Sequence, residues 1–349
     1  MARLYGKDIS RDYLTRRIGH MSQIGGARAY ELTSGQARGT QAVDVRTGSG
    51  FDFTVLPGRG LDIAWATYRG MPLGYISKSG VVAANRFTED GTIGFLRNFH
   101  AGLLTTAGLS NIGVPCSDGS EAYGLHGRVS NTPAEDVSVH QDWQGNDFVI
   151  TVAGVVRQAR IFGECLVLRR QISTKLGDSR LVIKDTLENG GFSSEPALLL
   201  YHCNFGYPLV GPSTRLLTSG GKVEPRDASA VPGLPTHDRF QEPTAGYAEQ
   251  CFYHHLDGKR GYAHAVLFNA DIQLGAYVRY KTDTLPMLVE WKMMGEQEYV
   301  VGLEPTTARL EGRTDVLARG GARMIEPGEK VSFEVEIGVF EDIDELDKA

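Results

Sequence analysis

Short apolar segments, many alternating with polar positions, recur along the chain at close intervals. Residues 42–47, 51–56, 147–155, 165–172, 180–187, 273–280, 287–293 and 330–339 are rich in Val, Ile, Leu, Phe and Tyr and are bounded by turn-forming residues. Such runs predict β-strands, with one face of each turned to a core. The link over residues 173–179, with its Gly177-Asp178 pair, predicts a hairpin. Short helices are expected only near residues 10–20 and 245–253. Strand-like segments continue evenly from about residue 27 to 340 with no Ser/Gly linker, charge run or visible repeat. The expectation is an all-β chain: one large antiparallel domain over residues 1–349, its core about 25–340, with a few short helices.

Two apolar runs interrupt themselves. Leu198-Leu199-Leu200-Tyr201-His202-Cys203-Asn204-Phe205-Gly206-Tyr207 sets a histidine and an asparagine in a strand, and Val300-Val301-Gly302-Leu303-Glu304-Pro305 sets a carboxylate in another. A buried ionisable group carries a desolvation cost, and groups that persist in such positions often have a chemical task. His202 and Glu304 are therefore a candidate acid and base.

Composition supports a folded chain. Of its 349 residues, 41% are hydrophobic and 22% charged, while 43 glycines and 14 prolines favour many short elements. The net charge of −6 and the absence of a Lys/Arg block argue against nucleic acid as a partner. No run is long and apolar enough to span a membrane, and the first residues lack the apolar segment of a signal peptide, so a cytoplasmic protein without a membrane partner is expected. Cys116, Cys165, Cys203 and Cys251 have neither the spacing of a zinc site nor that of a disulfide framework. They read as free thiols.

Further polar residues stand in glycine-rich or apolar settings. Tyr123-Gly124-Leu125-His126-Gly127-Arg128 predicts a tight turn that presents His126 and Arg128. Phe95-Leu96-Arg97-Asn98-Phe99-His100 offers Arg97 and His100 for a ligand or, equally, for a strand end. Arg59, between Gly58 and Gly60, can pair with Asp62 or hold a polyhydroxylated ligand. Trp291 and Lys292 precede Glu304; an indole is a platform for sugar C–H faces, though it is also ordinary core.

Taken in order from about residue 25 to 339, these segments resemble the aldose 1-epimerase (galactose mutarotase-like) superfamily, in its branch of uncharacterised bacterial proteins. Gly124-Leu125-His126-Gly127-Arg128 resembles that family's sugar-contacting segment. Tyr201-His202-Cys203-Asn204-Phe205-Gly206 resembles the strand of its general acid, and Gly302-Leu303-Glu304-Pro305 that of its base. The resemblance implies a β-supersandwich that holds a pyranose in an open concave face. It further implies anomer interconversion by His202 and Glu304, with His126, Arg128, Arg59, Arg97, His100, Asn204, Trp291 and Lys292 around the sugar. Asp238 and Asp271 are the two choices for an aspartate contact. The partner is then a small sugar or derivative, no cofactor or metal is called for, and a homodimer is allowed.

Two alternatives use the same cleft. His100, His126, His202 and a carboxylate facing one cavity would suit a metal-assisted isomerase or epimerase of a sugar or sugar acid. A non-catalytic sugar-binding protein would keep the sandwich, but it has no need of an ionisable pair.

Overall fold

The computed structural model describes residues 1–342. Two antiparallel sheets dominate. In the eleven-stranded sheet the order is Lys222–Pro225, Gln250–His255, Met287–Gly295, Glu298–Thr306, Leu198–Gly206, Leu104–Leu109, Asp62–Tyr68, Phe51–Leu56, Thr40–Arg46 and Gly26–Leu32, with the short Met71–Pro72 beside Asp62–Tyr68. In the eight-stranded sheet it is Glu135–Gln144, Asp147–Ala159, Cys165–Lys175, Arg180–Asn189, Lys330–Phe340, Leu274–Lys281, Tyr262–Asn269 and Thr214–Thr218.

One contiguous apolar core joins the sheets. Val43, Phe53, Ile63, Leu199, Tyr201, Leu303 and Leu288 meet Ile150, Leu168, Ile183, Val278 and Val335 in it. These positions follow the period-2 rule, which sends alternate residues of a strand to the same face. An all-β sandwich therefore forms, as the alternating segments predict. The hairpin also forms, since Cys165–Lys175 pairs antiparallel with Arg180–Asn189.

Leu198–Gly206 is buried on both faces, which explains its continuous apolar run. Leu199, Tyr201, Cys203 and Phe205 enter the inter-sheet core, while Leu198 and Leu200 belong to a second apolar cluster on the outer face. His202 shares that outer face. Behind it, Tyr201 donates to Asp185 Oδ2 at 2.7 Å, and Arg170 donates to the same carboxylate and to Thr106 Oγ1. This buried network clamps the central strand of one sheet to the other, and with it the position of His202.

The helical expectations need correction. Over residues 10–20 only Arg11–Thr15 is α-helical, capped by the Ser10 hydroxyl, which accepts from the Tyr13 N–H. Residues 245–253 form no helix. Gln250–His255 is a strand between Lys222–Pro225 and Met287–Gly295, with Cys251, Phe252 and Tyr253 buried, so both faces of this segment are covered. Gly91–Asn98 is a helix where the sequence suggested a strand end. No helix among the described residues is long and apolar enough to cross a membrane.

Candidate active site

Strand register creates the site. Leu200 pairs with Thr306 and Cys203 with Leu303, so the same ladder sets His202 across from Glu304. Directly opposed residues on antiparallel strands share a face and bring their side chains together. The two meet with His202 Nδ1 3.2 Å from Glu304 Oε1, at side-chain exposures of 6% and 1%. Their alignment is not that of a hydrogen bond, and neither atom has another partner among the described residues. One strand further, Val289 pairs with Glu304, and Trp291 pairs with Gly302.

Gly302 is needed where it stands. A Cβ there would collide with Glu304 Oε1 and lie 3.1 Å from the Trp291 Cβ, so only glycine lets the carboxylate fold back beside the indole.

His202 and Glu304 lie at the floor of a cleft of about 820 Å³ on the outer face of the eleven-stranded sheet. Trp291, Cys251, Met293 and Val300 extend that floor. The Gly91–Asn98 helix and the residue after it bring Phe95, Leu96, Arg97 and Phe99 to one wall, and the loop carrying Gly113, Leu125 and His126 makes another. Rings surround the His202 imidazole: His126 at 5.6 Å between centroids, Phe99 at 5.2 Å and Trp291 at 5.2 Å.

His126 occupies a left-handed backbone position, φ 57°, followed by Gly127 at 68°. At Gly127 a Cβ would strike the carbonyl of Gly108, so the turn predicted around this histidine depends on glycine. Nδ1 of His126 accepts from the Gly113 N–H at 3.3 Å, which makes Nε2 the protonated nitrogen of the neutral ring.

Electrostatics at the floor are set by desolvation. Burial pushes Glu304 well above the usual carboxylate range; nearby Glu249 adds to the rise and Arg226 opposes it. It also pushes His202 well below the usual imidazole value, helped by His126 and opposed by Asn204. His126 is lowered to about 4, first by burial and then by Arg226. Both members of the central pair thus favour their neutral forms, and the carboxyl proton can be exchanged between them.

Of the residues singled out in the sequence, His202, Glu304, His126, Arg97 and Trp291 line the cleft, while Arg59, His100, Arg128, Asn204 and Lys292 do not. The Arg59 guanidinium is buried and donates to the carbonyls of Ser130, Val82 and Asn98 and to the Ser130 hydroxyl. It binds chain rather than Asp62, whose Oδ1 accepts from the Thr106 N–H. His100 is fully buried, with neither ring nitrogen hydrogen-bonded among the described residues, and lies outside the cleft that His126 and His202 line, so the three histidines considered for a metal do not share it. Arg128 pairs at the surface with Glu89 at 2.7 Å, and Asn204 donates to the carbonyl of His202. Lys292 points to the other face, donating to the carbonyls of Thr236 and Arg239. Neither Asp238 nor Asp271 lines the cleft.

Arg226 and Glu249 escaped the sequence reading. Both line the cleft, 3.7 Å apart, and Glu249 Oε2 accepts from the Trp291 indole N–H at 2.9 Å. Each flanks a strand in a polar loop, without the apolar contrast that marks His202 and Glu304. All four cysteines are free, Cys203 and Cys251 being buried.

This two-sheet antiparallel sandwich is the fold that the chain shares with galactose mutarotase-like proteins. The chain is similar to the crystal structure of a protein from Klebsiella pneumoniae subsp. pneumoniae provisionally assigned as an aldose 1-epimerase, at 23% identity and TM-score 0.87, over 94% of this chain and 88% of that one. A galactose mutarotase-like protein from Clostridium acetobutylicum matches at 15% identity and TM-score 0.62, over 92% and 100%. Galactose 1-epimerase from Lactobacillus acidophilus matches at 12% identity and TM-score 0.60, over 91% and 99%. The family model for a domain of unknown function, DUF4432, matches residues 37–339, and the chain belongs to that family. No curated protein matches the sequence.

Proposed function

We propose that the protein is an aldose 1-epimerase-like isomerase that interconverts the anomers of a monosaccharide or a derivative of one. The observation that carries this reading is the His202–Glu304 pair, two proton-exchanging groups 3.2 Å apart at the floor of a cleft on a fold shared with a galactose 1-epimerase.

Anomer exchange needs two proton transfers. A base takes the proton of the O1 hydroxyl while an acid delivers one to the ring oxygen, the C1–ring oxygen bond breaks, and an open-chain aldehyde forms. Rotation about C1–C2 and reclosure on the other carbonyl face reverse both transfers. With the shared proton on the imidazole, the Glu304 carboxylate serves as base and the His202 imidazolium as acid; with it on the carboxyl, as in the neutral pair, each takes the opposite role. Opening leaves the pair's total proton count unchanged and moves one proton from one member to the other, so the pair is restored on reclosure. The low-dielectric floor suits this exchange, because neither group is held in its charged form by solvent.

Around the pair, the Trp291 indole supplies an apolar face, and the His126 Nε2–H is a donor for a hydroxyl. Arg97, Arg226 and Glu249 provide polar contacts at the rim.

Anomer exchange followed by NMR over a panel of aldoses, uronates and sugar phosphates tests the reading. The expected result is exchange well above the spontaneous rate for at least one class. Spontaneous rates for every sugar, together with binding of one of them, would instead favour a sugar-binding protein.

A further inference from the structure

A second cluster of ionisable side chains lies on the opposite face of the same strands. Glu290 and Trp291 are consecutive, so when Trp291 faces the cleft Glu290 faces inward; by the same alternation His254 points away from the cleft that Cys251 lines. Glu290 and His254 are completely buried. His237 reaches them from the long connection between Lys222–Pro225 and Gln250–His255, at the end of its short helical stretch Val231–Thr236. The result is His254 Nε2 at 2.9 Å and His237 Nδ1 at 3.0 Å from Glu290 Oε2. The second carboxylate oxygen, Oε1, is buried without a hydrogen-bond partner among the described residues.

We propose that His237, His254 and Glu290 form a binding site for a divalent transition metal ion of the zinc class, separate from the sugar cleft. Their ligand atoms lie within 4.8 Å of one another. Ligands about 2.0 to 2.2 Å from a common ion stand roughly 3 to 3.5 Å apart, close to the spacings at this carboxylate. Two imidazoles and one carboxylate suit zinc, cobalt or nickel better than the all-oxygen preference of magnesium or calcium. His237 keeps 19% of its side chain exposed, which gives an ion a way in and a water a way to a remaining position.

The site would pin the connection that carries Arg226 and Glu249 to the cleft onto two strands of the sheet. Lys292 fastens that connection independently, through the carbonyls of Thr236 and Arg239, so a chain lacking the ion keeps an anchor there. The ligand set is drawn from one loop and two neighbouring strands, and none of its members lines the cleft. It therefore stands or falls apart from the proposed isomerase activity.

Metal-depleted full-length protein is incubated with Zn²⁺, freed of unbound ion and assayed for metal content, with a parallel titration by Co²⁺ followed by its visible d–d bands. The expected result is one ion per chain, a rise in Tm of roughly 5 °C with excess Zn²⁺, and Co²⁺ bands of nitrogen and oxygen ligation. His237→Ala, at the most exposed ligand, and Glu290→Gln are expected to weaken binding at least roughly 100-fold. If folded His237→Ala retains the same stoichiometry, affinity and Tm rise as the wild type, or if the wild type binds no ion, the cluster is a hydrogen-bonded structural network only and the proposal is overturned.

Discussion

At the scale of single residues, His202 and Glu304 were legible because each breaks an apolar strand, a contrast that costs free energy and therefore stands out. Their meeting was not legible, since it depends on a register fixed by distant strand pairing. Gly302 shows the same limit: its necessity appears only once the Glu304 carboxylate is seen occupying the space of its missing Cβ. Gly302→Ala is predicted to displace that carboxylate and lower anomer exchange about 10²-fold, with the thermal transition of a folded protein preserved. NMR exchange rates and a thermal melt check this together. The exchange rate should also be bell-shaped in pH. Activity requires one exchangeable proton in the pair, so it falls on the acid side as His202 takes up a second proton and on the alkaline side as Glu304 loses its own. Because burial lowers His202 and raises Glu304, the acid limb should lie below the usual imidazole pKa and the alkaline limb above the usual carboxylate range. A profile of kcat/KM against pH with its acid limb at or above the usual imidazole pKa, or its alkaline limb within or below the usual carboxylate range, would contradict the buried pair.

At the level of elements, the period-2 pattern identifies strands where it is strong and fails where burial is two-sided or the segment short. Gln250–His255 has apolar residues on both faces, so its pattern resembles a helix as much as a strand, and only pairing with its neighbours decides. Its flanking glycines make Arg59 a candidate ligand contact in the sequence. Its guanidinium instead ties three backbone segments, through the carbonyls of Ser130, Val82 and Asn98, and so secures the base of the Gly91–Asn98 helix that walls the cleft. Arg59→Ala would leave these buried acceptors unpaired. The predicted loss is about 3 kcal/mol of folding stability, measured by urea unfolding; a loss within experimental error would show that the segments hold without it.

For the molecule as a whole, the β class and a core shared by two sheets follow from the recurrent alternation, whereas strand order and the site of the cleft arise from contacts distant in sequence. Buried histidines also give the fold a pH dependence. Burial lowers His100 and His202, and lowers His126 to about 4, so the folded chain binds fewer protons than the unfolded one between the usual imidazole pKa and that region. Their contribution to stability is therefore full above about pH 6.5 and lost as pH falls towards 4. His100 has no hydrogen bond through its ring among the described residues, and His100→Leu is predicted to reduce the drop in Tm between pH 8 and pH 5 without abolishing folding. An unchanged drop would assign the acid sensitivity to other groups. His202 and Glu304 are the pair that both the sequence contrast and the strand register single out. Their role is tested by the rate of anomer exchange by NMR for wild type and Glu304→Gln on the best sugar of the panel. A fall of about 10²- to 10⁴-fold in a folded variant is the predicted result; an undiminished rate would contradict the account.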